Sequence, residues 1–222
     1  MFDSIAARYD LLNRLISLGL DRLWRRRLVR ALAIGNDARV LDVATGTADV
    51  ALAIAALHAT AHVTGLDPSP RMLDVGRQKV AALGLDKRVA LVAGDAQAMP
   101  FSAGAFDATC ISFGIRNVPD RAKGLAEMRR VTRAGGRVVV LELAEPKGGP
   151  MAALARVHVH HLVPLFGRWL TGSDAYGYLR RSIAQFPDAE VFAEMMRAAG
   201  LAPVDVYRQS FGAATLFVGV VP

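Results

Sequence analysis

A glycine turn flanked by two carboxylates is the first place where this chain could do chemistry. Residues 39–49 read RVLDVATGTAD. Val40, Leu41, Asp42 and Val43 make an apolar strand pattern, Gly46 marks a turn, and a helical pattern begins near Ala48. A strand–turn–helix unit of this kind holds a nucleotide-like ligand at the strand's carboxyl end, where the helix's first amide N–H groups face outward. Gly46 lets the backbone come close to a ligand that a Cβ would obstruct. Asp42 and Asp49 place carboxylates around the turn, which suits a ligand with a cationic end better than a pyrophosphate. Taken alone, the unit also fits an ordinary turn in any α/β protein.

The next strand pattern sharpens the choice. Asp67 ends it, about 20 residues past the turn glycine, where a carboxylate can accept both hydroxyls of a ribose. Dinucleotide sites share that acidic residue but need G-x-G-x-x-G to admit a pyrophosphate, and residues 44–49 offer only Gly46. S-adenosylmethionine has no phosphate and carries a sulfonium and an ammonium, so it fits the paired aspartates. Asp95, after Gly94, can accept from an adenine amino group while Ala96 offers its backbone N–H to the ring. Ser112 ends a fourth strand pattern beside the same crevice. The candidate cofactor set is Asp42, Gly46, Thr47, Asp67, Pro68, Met72, Asp95, Ala96 and Ser112, with no metal ligand.

These residues need a scaffold, and the apolar periodicity supplies one. Residues 2–32 read as helix, with a break suggested by Ser17 and Gly19. Strands at 39–43, 62–66, 88–93, 106–111 and 138–143 then alternate with helices at 48–58, 70–83 and 120–132, the last running out at Gly135 and Gly136. This alternation predicts a mostly parallel sheet with helices on both faces. A turn-rich stretch at 145–150 leads into helices over 151–184 and another at 188–199. Strands near 202–209 and 213–220 sit too close for a helical crossover and predict an antiparallel hairpin. One domain over 1–222 is expected, with a helical lead-in at 1–35 and a lid insert at 145–187.

Composition bounds the partners. At 222 residues and 53% hydrophobic, the chain can bury a full core. The single cysteine, Cys110, lies in an apolar strand pattern, reads as an inert core thiol, and fits a reducing compartment. No secretory leader or membrane span is visible, since 151–170 is interrupted by Arg156, His158, His160, His161 and Arg168. A cytoplasmic protein is expected, with peripheral contact at the inner face of the membrane as a further expectation. Net charge is +7, and residues 1–30 alone carry seven arginines against three aspartates. Such a patch suits an anionic lipid surface or nucleic acid, and equally a solvated helix face. Of the three histidines only 158 and 161 share a helix face, and no acidic cluster accompanies them.

Four further stretches carry a resemblance to a known family. Tyr9, Asp10, Leu11, Leu12 and Asn13 with Ser17, Leu18, Gly19 and Trp24 form the first. The second is Ser112, Phe113, Gly114, Ile115, Arg116 and Asn117. Arg130 and Val131 with Gly135, Gly136, Arg137, Leu141 and Glu142 make the third, and Tyr178, Leu179, Ser182, Ile183, Phe186 and Pro187 the fourth. Over nearly its whole length the chain resembles the ubiquinone/menaquinone biosynthesis C-methyltransferases. It departs from that family's usual residues at Leu12, Asp21, Ala48, Ala134 and Phe217. Ala48 replaces a glycine and is expected to set one methyl group beside the cofactor.

The resemblance implies a Rossmann-like class I S-adenosylmethionine-dependent methyltransferase fold with a seven-stranded sheet. It implies methylation of a ring carbon on a polyprenylated quinol, with S-adenosyl-L-methionine as donor and S-adenosyl-L-homocysteine as product. The reduced quinol is the electron-rich form, so it should be the acceptor, whether benzoquinol or naphthoquinol. The resemblance points to Arg116 and Asn117 as residues facing the ring and to Tyr9 as a residue closing over it. Arg116 would stabilise phenolate charge, its guanidinium being too weak an acid to serve as a base; a helix-end ion pair with Asp120 is its other reading. A polyprenyl tail costs about 0.8 kcal/mol per exposed CH₂. An apolar channel in the lid, from Val159, Leu162, Val163, Leu165, Phe166, Trp169 and Leu170, would shelter it; the same residues could instead be lid core or a homodimer face. Other rivals are a methyltransferase for another phenolic or lipid acceptor and a non-catalytic scaffold. A nucleic-acid methyltransferase is disfavoured, because no Asn-Pro-Pro-aromatic motif follows the fourth strand.

Overall fold

The computed structural model describes residue 17, residues 19–144 and residues 175–222. Tyr9, Leu12, the three histidines at 158, 160 and 161, and the apolar lid positions from 159 to 170 lie outside the described residues.

Helix α1 (Asp21–Ala31) precedes the sheet. Gly19, with φ at +78°, turns the chain into it. Strand β1 (Arg39–Val43), helix α2 (Asp49–Leu57), β2 (His62–Asp67), α3 (Pro70–Ala82) and β3 (Val89–Ala93) follow. Pro70 at the first turn and Ser69 Oγ accepting from Met72 N start α3. Next come β4 (Phe106–Ser112), a 3₁₀ turn (Ile115–Asn117), α4 (Arg121–Val131) and β5 (Thr132–Leu143). Helices α5 (Ala175–Ala184) and α6 (Ala189–Ala198) lead to β6 (Val204–Gln209) and β7 (Ala214–Val220).

The seven strands form one sheet in the order β3-β2-β1-β4-β5-β7-β6. The four pairings among β1 to β5 run parallel, whereas β7 lies antiparallel to both β5 and β6. Strand order reverses between β1 and β4, and the carboxyl ends there splay to leave a crevice. Alternation along the strands sorts the core. Val40, Cys110, Val139 and Leu141 face α1 and α2 with Leu28, Val29 and Ile54. Leu41, Val43, Val138 and Val140 face the opposite layer with Leu125, Met128, Phe192 and Phe217.

One boundary departs from the sequence expectation. The chain rejoins the sheet at Thr132, well before Val138, and passes through the Gly135–Gly136 bend as part of β5. Thr132 pairs with Phe106 across a register irregularity, and its hydroxyl lies 3.0 Å from that of Thr109. Among the described residues, no helix is long and apolar enough to cross a membrane.

Candidate methyl-donor cleft

The turn after β1 is built from residues in uncommon conformations. Ala44, Gly46 and Ala48 all have positive φ, at 52°, 57° and 66°. Only Gly46 adopts that region without steric cost. Phe113, just past β4, is left-handed as well, and Gly114 follows it. A Cβ on Gly114 would sit 2.7 Å from Ala44 Cβ, so the two turns can touch only because that side chain is missing. Such clustering of strained backbone at the ends of adjacent strands marks a place where shape is set by surrounding structure.

Between these turns lies a cleft of about 300 Å³. Gly46, Asp67, Pro68, Met72, Asp95, Ala96 and Ser112 from the sequence-derived cofactor set line it, together with Asn117. Asp67 is held at its floor: Oδ2 accepts from Gly46 N at 2.8 Å and Oδ1 from Ser69 N at 2.9 Å. Asp95 Oδ1 accepts from the backbone N–H and the side-chain amide of Gln97. Ser112 Oγ is buried and makes no hydrogen bond among the described residues. Gly94, Gly114 and Val118 also contribute to the wall. The second and third of these stand inside or beside the SFGIRN stretch, which was the available signal for them.

Five expectations are corrected. Asp42 does not line the cleft: it is 1% exposed, accepts from Thr45 Oγ1 at 2.7 Å, and takes the Cys110 thiol at 3.6 Å. Burial pushes its carboxyl up to about 7 against those hydrogen bonds, and Cys110 is raised by burial and by Asp42 beside it. Thr47 is also buried and receives Lys79 Nζ at 3.0 Å. Asp49 is clamped by Arg25 and by Lys79, the latter at 2.7 Å. Burial would raise its carboxyl, but the two cations outweigh that and hold it below its ordinary value. The paired aspartates therefore brace the turn from behind, away from the cleft. Ala48 is fully buried in the core, its methyl near Gly76, and is not beside the cleft.

Arg116 is the fifth. Its guanidinium is buried on Glu142 and on Phe113 O, the latter at 2.6 Å, and its backbone N–H reaches Glu142 Oε2 at 3.2 Å. The partner is thus Glu142 at the end of β5, neither Asp120 nor an acceptor ring. Asp120 instead caps α4 by accepting from Lys123 N. Asn117, one residue on, does face the cleft, and its Oδ1 accepts from Tyr178 Oη of α5 at 3.0 Å. Two other family departures are structural: Asp21 accepts from Ser17 Oγ, and Phe217 packs on Phe192 at 4.8 Å between ring centres.

A second, larger cavity of about 800 Å³ opens where α5 meets α6 and the β6–β7 connection. Ile183, Phe186, Pro187, Val191 and Phe211 make it mainly apolar, and it adjoins Ala144 just past β5.

Comparison with known proteins agrees with this architecture. The model of the ubiE/COQ5 methyltransferase family matches residues 1–221. The ubiquinone/menaquinone biosynthesis C-methyltransferase UbiE of Geobacter sp. (strain M21) is 44% identical over 220 residues, covering 99% of this chain and 94% of that one. The demethylmenaquinone methyltransferase of Thermus thermophilus is also 44% identical over 220 residues, covering 99% of each. Among solved structures, a putative S-adenosyl-L-methionine-dependent methyltransferase from Methanococcus maripaludis has a TM-score of 0.74 at 16% identity, covering 100% of this chain and 94% of that one. The [4+2]-cyclase SpnF has a TM-score of 0.68 at 19% identity, covering 92% and 82%, so likeness of this kind speaks for fold alone. With an end-to-end family match and relatives at this identity, the chain belongs to the ubiE/COQ5 methyltransferase family.

Proposed function

We propose that this enzyme methylates a ring carbon of a polyprenylated quinol, using S-adenosylmethionine, in the formation of menaquinone, ubiquinone or both. The observation that carries the donor half is the cleft wall: a ribose-ready carboxylate at Asp67, Asp95 at the far end, and a buried Ser112 hydroxyl with no partner among the described residues. That donor set fits an adenosyl group without phosphates. When bound, S-adenosylmethionine supplies an electrophilic methyl group; a ring C–H becomes C–CH₃, one proton is released, and the thioether departs.

The chain's own residues have separate tasks. Asp67, fixed by two backbone N–H groups, accepts the ribose hydroxyls; Asp95 and Ala96 address the adenine edge. Asp42, Thr47 and Asp49 hold the turn that Gly46 presents. The Arg116–Glu142 pair fixes the 3₁₀ turn so that Asn117 faces the space where the acceptor ring must meet the methyl group. The apolar cavity beside α5 suits an acceptor carrying a hydrocarbon tail.

We also infer peripheral contact with anionic lipid through α1. Arg22, Arg26 and Arg30 are exposed along one side of it, with Leu20 and Leu23 exposed among them. Arg25 is turned inward onto Asp49, and Arg27, though exposed, reaches Gln209.

The test is direct. Purified protein, methyl-labelled S-adenosylmethionine and short-chain benzoquinol and naphthoquinol precursors are incubated with and without a reductant. Label should enter a ring carbon of one or both quinols, and only under reduction. Labelling of the oxidised quinone, or none of either quinol while simple phenols are methylated, would overturn the quinol assignment.

A further inference from the structure

Tyr178 stands on α5, the helix that also sends Ile183 and Ala184 to the larger cavity. Its Oη donates to Asn117 Oδ1 at 3.0 Å. An asparagine amide has one carbonyl end and one NH₂ end. With the carbonyl oxygen engaged by the phenol, the NH₂ is the end left for the cleft that Asn117 lines. The backbone beneath has little freedom to undo this. Arg116 ties the turn to Glu142 and Phe113, and Arg121 Nη2 reaches Arg116 O at 3.2 Å. Ser112 Oγ lies in the same wall. Asn117 and Ser112 therefore offer N–H and O–H groups to the cleft, alongside the carboxylates of Asp67 and Asp95 in its lining.

We propose that Tyr178 is a positioning residue for the acceptor: by holding Asn117 Oδ1, it aims the Asn117 NH₂ at a ring oxygen of a phenolic acceptor. A phenolic oxygen that sheds its proton before the ring attacks carries a negative charge, and a fixed N–H favours that ionised, electron-rich form where a carbonyl oxygen would oppose it. The proposal rests on the quinol assignment above. It makes Tyr178 act through Asn117, with no contact to the methyl donor.

Four proteins decide it: the unmodified enzyme, Tyr178→Phe, Asn117→Ala and the double variant. Removing a fixed donor that favours the phenolate should cost up to ~10²-fold in rate, and loosening one roughly tenfold. Tyr178→Phe is expected to lower kcat/KM for the quinol by about that factor, with S-adenosylmethionine affinity by calorimetry unchanged. In the Asn117→Ala background the same substitution should cost nearly nothing more. Full activity of Tyr178→Phe, additive losses in the double variant, or a matching loss of donor affinity would each overturn the proposal.

A second readout does not depend on quinol turnover. With S-adenosylhomocysteine present, the ionisation of bound para-nitrophenol is followed spectroscopically. The unmodified enzyme should lower its midpoint, and both single variants should move it back toward the free value. No shift with the unmodified enzyme would sink the proposal even if quinol is methylated. A shift lost in the variants would sustain it even if the acceptor is another phenol.

Discussion

At the scale of single residues, the enclosure of Asp42 has a measurable price. Its carboxyl titrates near 7 in the folded protein, against 3.8 ordinarily, chiefly because burial opposes its charge. Below about pH 4 the group is neutral in folded and unfolded chains alike, and no stability is lost through it. As pH rises toward 7 the unfolded chain ionises freely while the folded one resists, so stability falls; above about 7 the loss levels off. Asp42→Asn has no such loss. Its stability advantage over the unmodified protein should grow from about pH 4 to 7 and then stay constant, on the order of a few kcal/mol, as read by urea unfolding across pH. Ala48 offers a second test. Its φ of +66° is one that an L-residue occupies at a cost of roughly 1–2 kcal/mol, so the usual family glycine is explained by backbone, not by room for a ligand. Ala48→Gly should raise Tm by about 2–4 °C with donor affinity nearly unchanged; a marked tightening of donor binding would show that the methyl group reaches the cleft after all.

At the scale of elements, the pairing of Arg116 with Glu142 joins the end of β5 to the 3₁₀ turn after β4. Glu142 is fully buried and also accepts from its neighbour's amide, Leu143 N, at 2.8 Å. Glu142→Ala leaves a buried guanidinium uncompensated and should destabilise the protein by about 3–5 kcal/mol, with quinol turnover falling as the turn loosens. Elements of this kind were unevenly legible in the sequence. Strand β1, the C-terminal hairpin and the helix boundaries followed from local periodicity and turn residues. The early return of the chain to the sheet at Thr132 did not, because it depends on register against Phe106 and on a hydroxyl pair with Thr109. The site was divided in the same way. Positions at strand carboxyl ends, such as Asp67, Asp95 and Ser112, could be placed because topology alone brings strand ends together. Charged partners could not: Arg116 meets Glu142 26 residues away, and Asp49 meets Arg25 and Lys79 from two other helices. No spacing rule reaches across elements, so side chains that brace the turn looked, in sequence, like side chains that bind.

At the scale of the molecule, Arg22, Arg26 and Arg30 of α1 are exposed, and none of them lines the donor cleft. The exposed arginines of α1 would hold the protein at an anionic surface, while the donor cleft opens at the strand ends. Combined Arg22→Glu, Arg26→Glu and Arg30→Glu substitution should weaken binding to vesicles rich in anionic lipid severalfold. The unmodified protein should show the same weakening as salt rises. Sedimentation with vesicles measures this, and turnover of a water-soluble quinol analogue should be unaffected. Binding that survives charge reversal would remove α1 as the lipid contact.

Helix α1 also meets the far end of the chain. Trp24 Nε1 donates to Ser210 Oγ at 2.9 Å, across 186 positions, and Arg27 reaches Gln209. Leu28 and Val29 share their core with Leu216 and Val218 of β7. During synthesis this face must wait for nearly the whole chain to emerge, roughly 10–40 s at ordinary elongation rates. Until then the stripe can be covered only on the side of β1, α2 and β5, and the side that meets β7 and Ser210 stays open beside a row of arginines. The same helix that steadies the finished enzyme is thus one that only the nearly completed chain can cover in full.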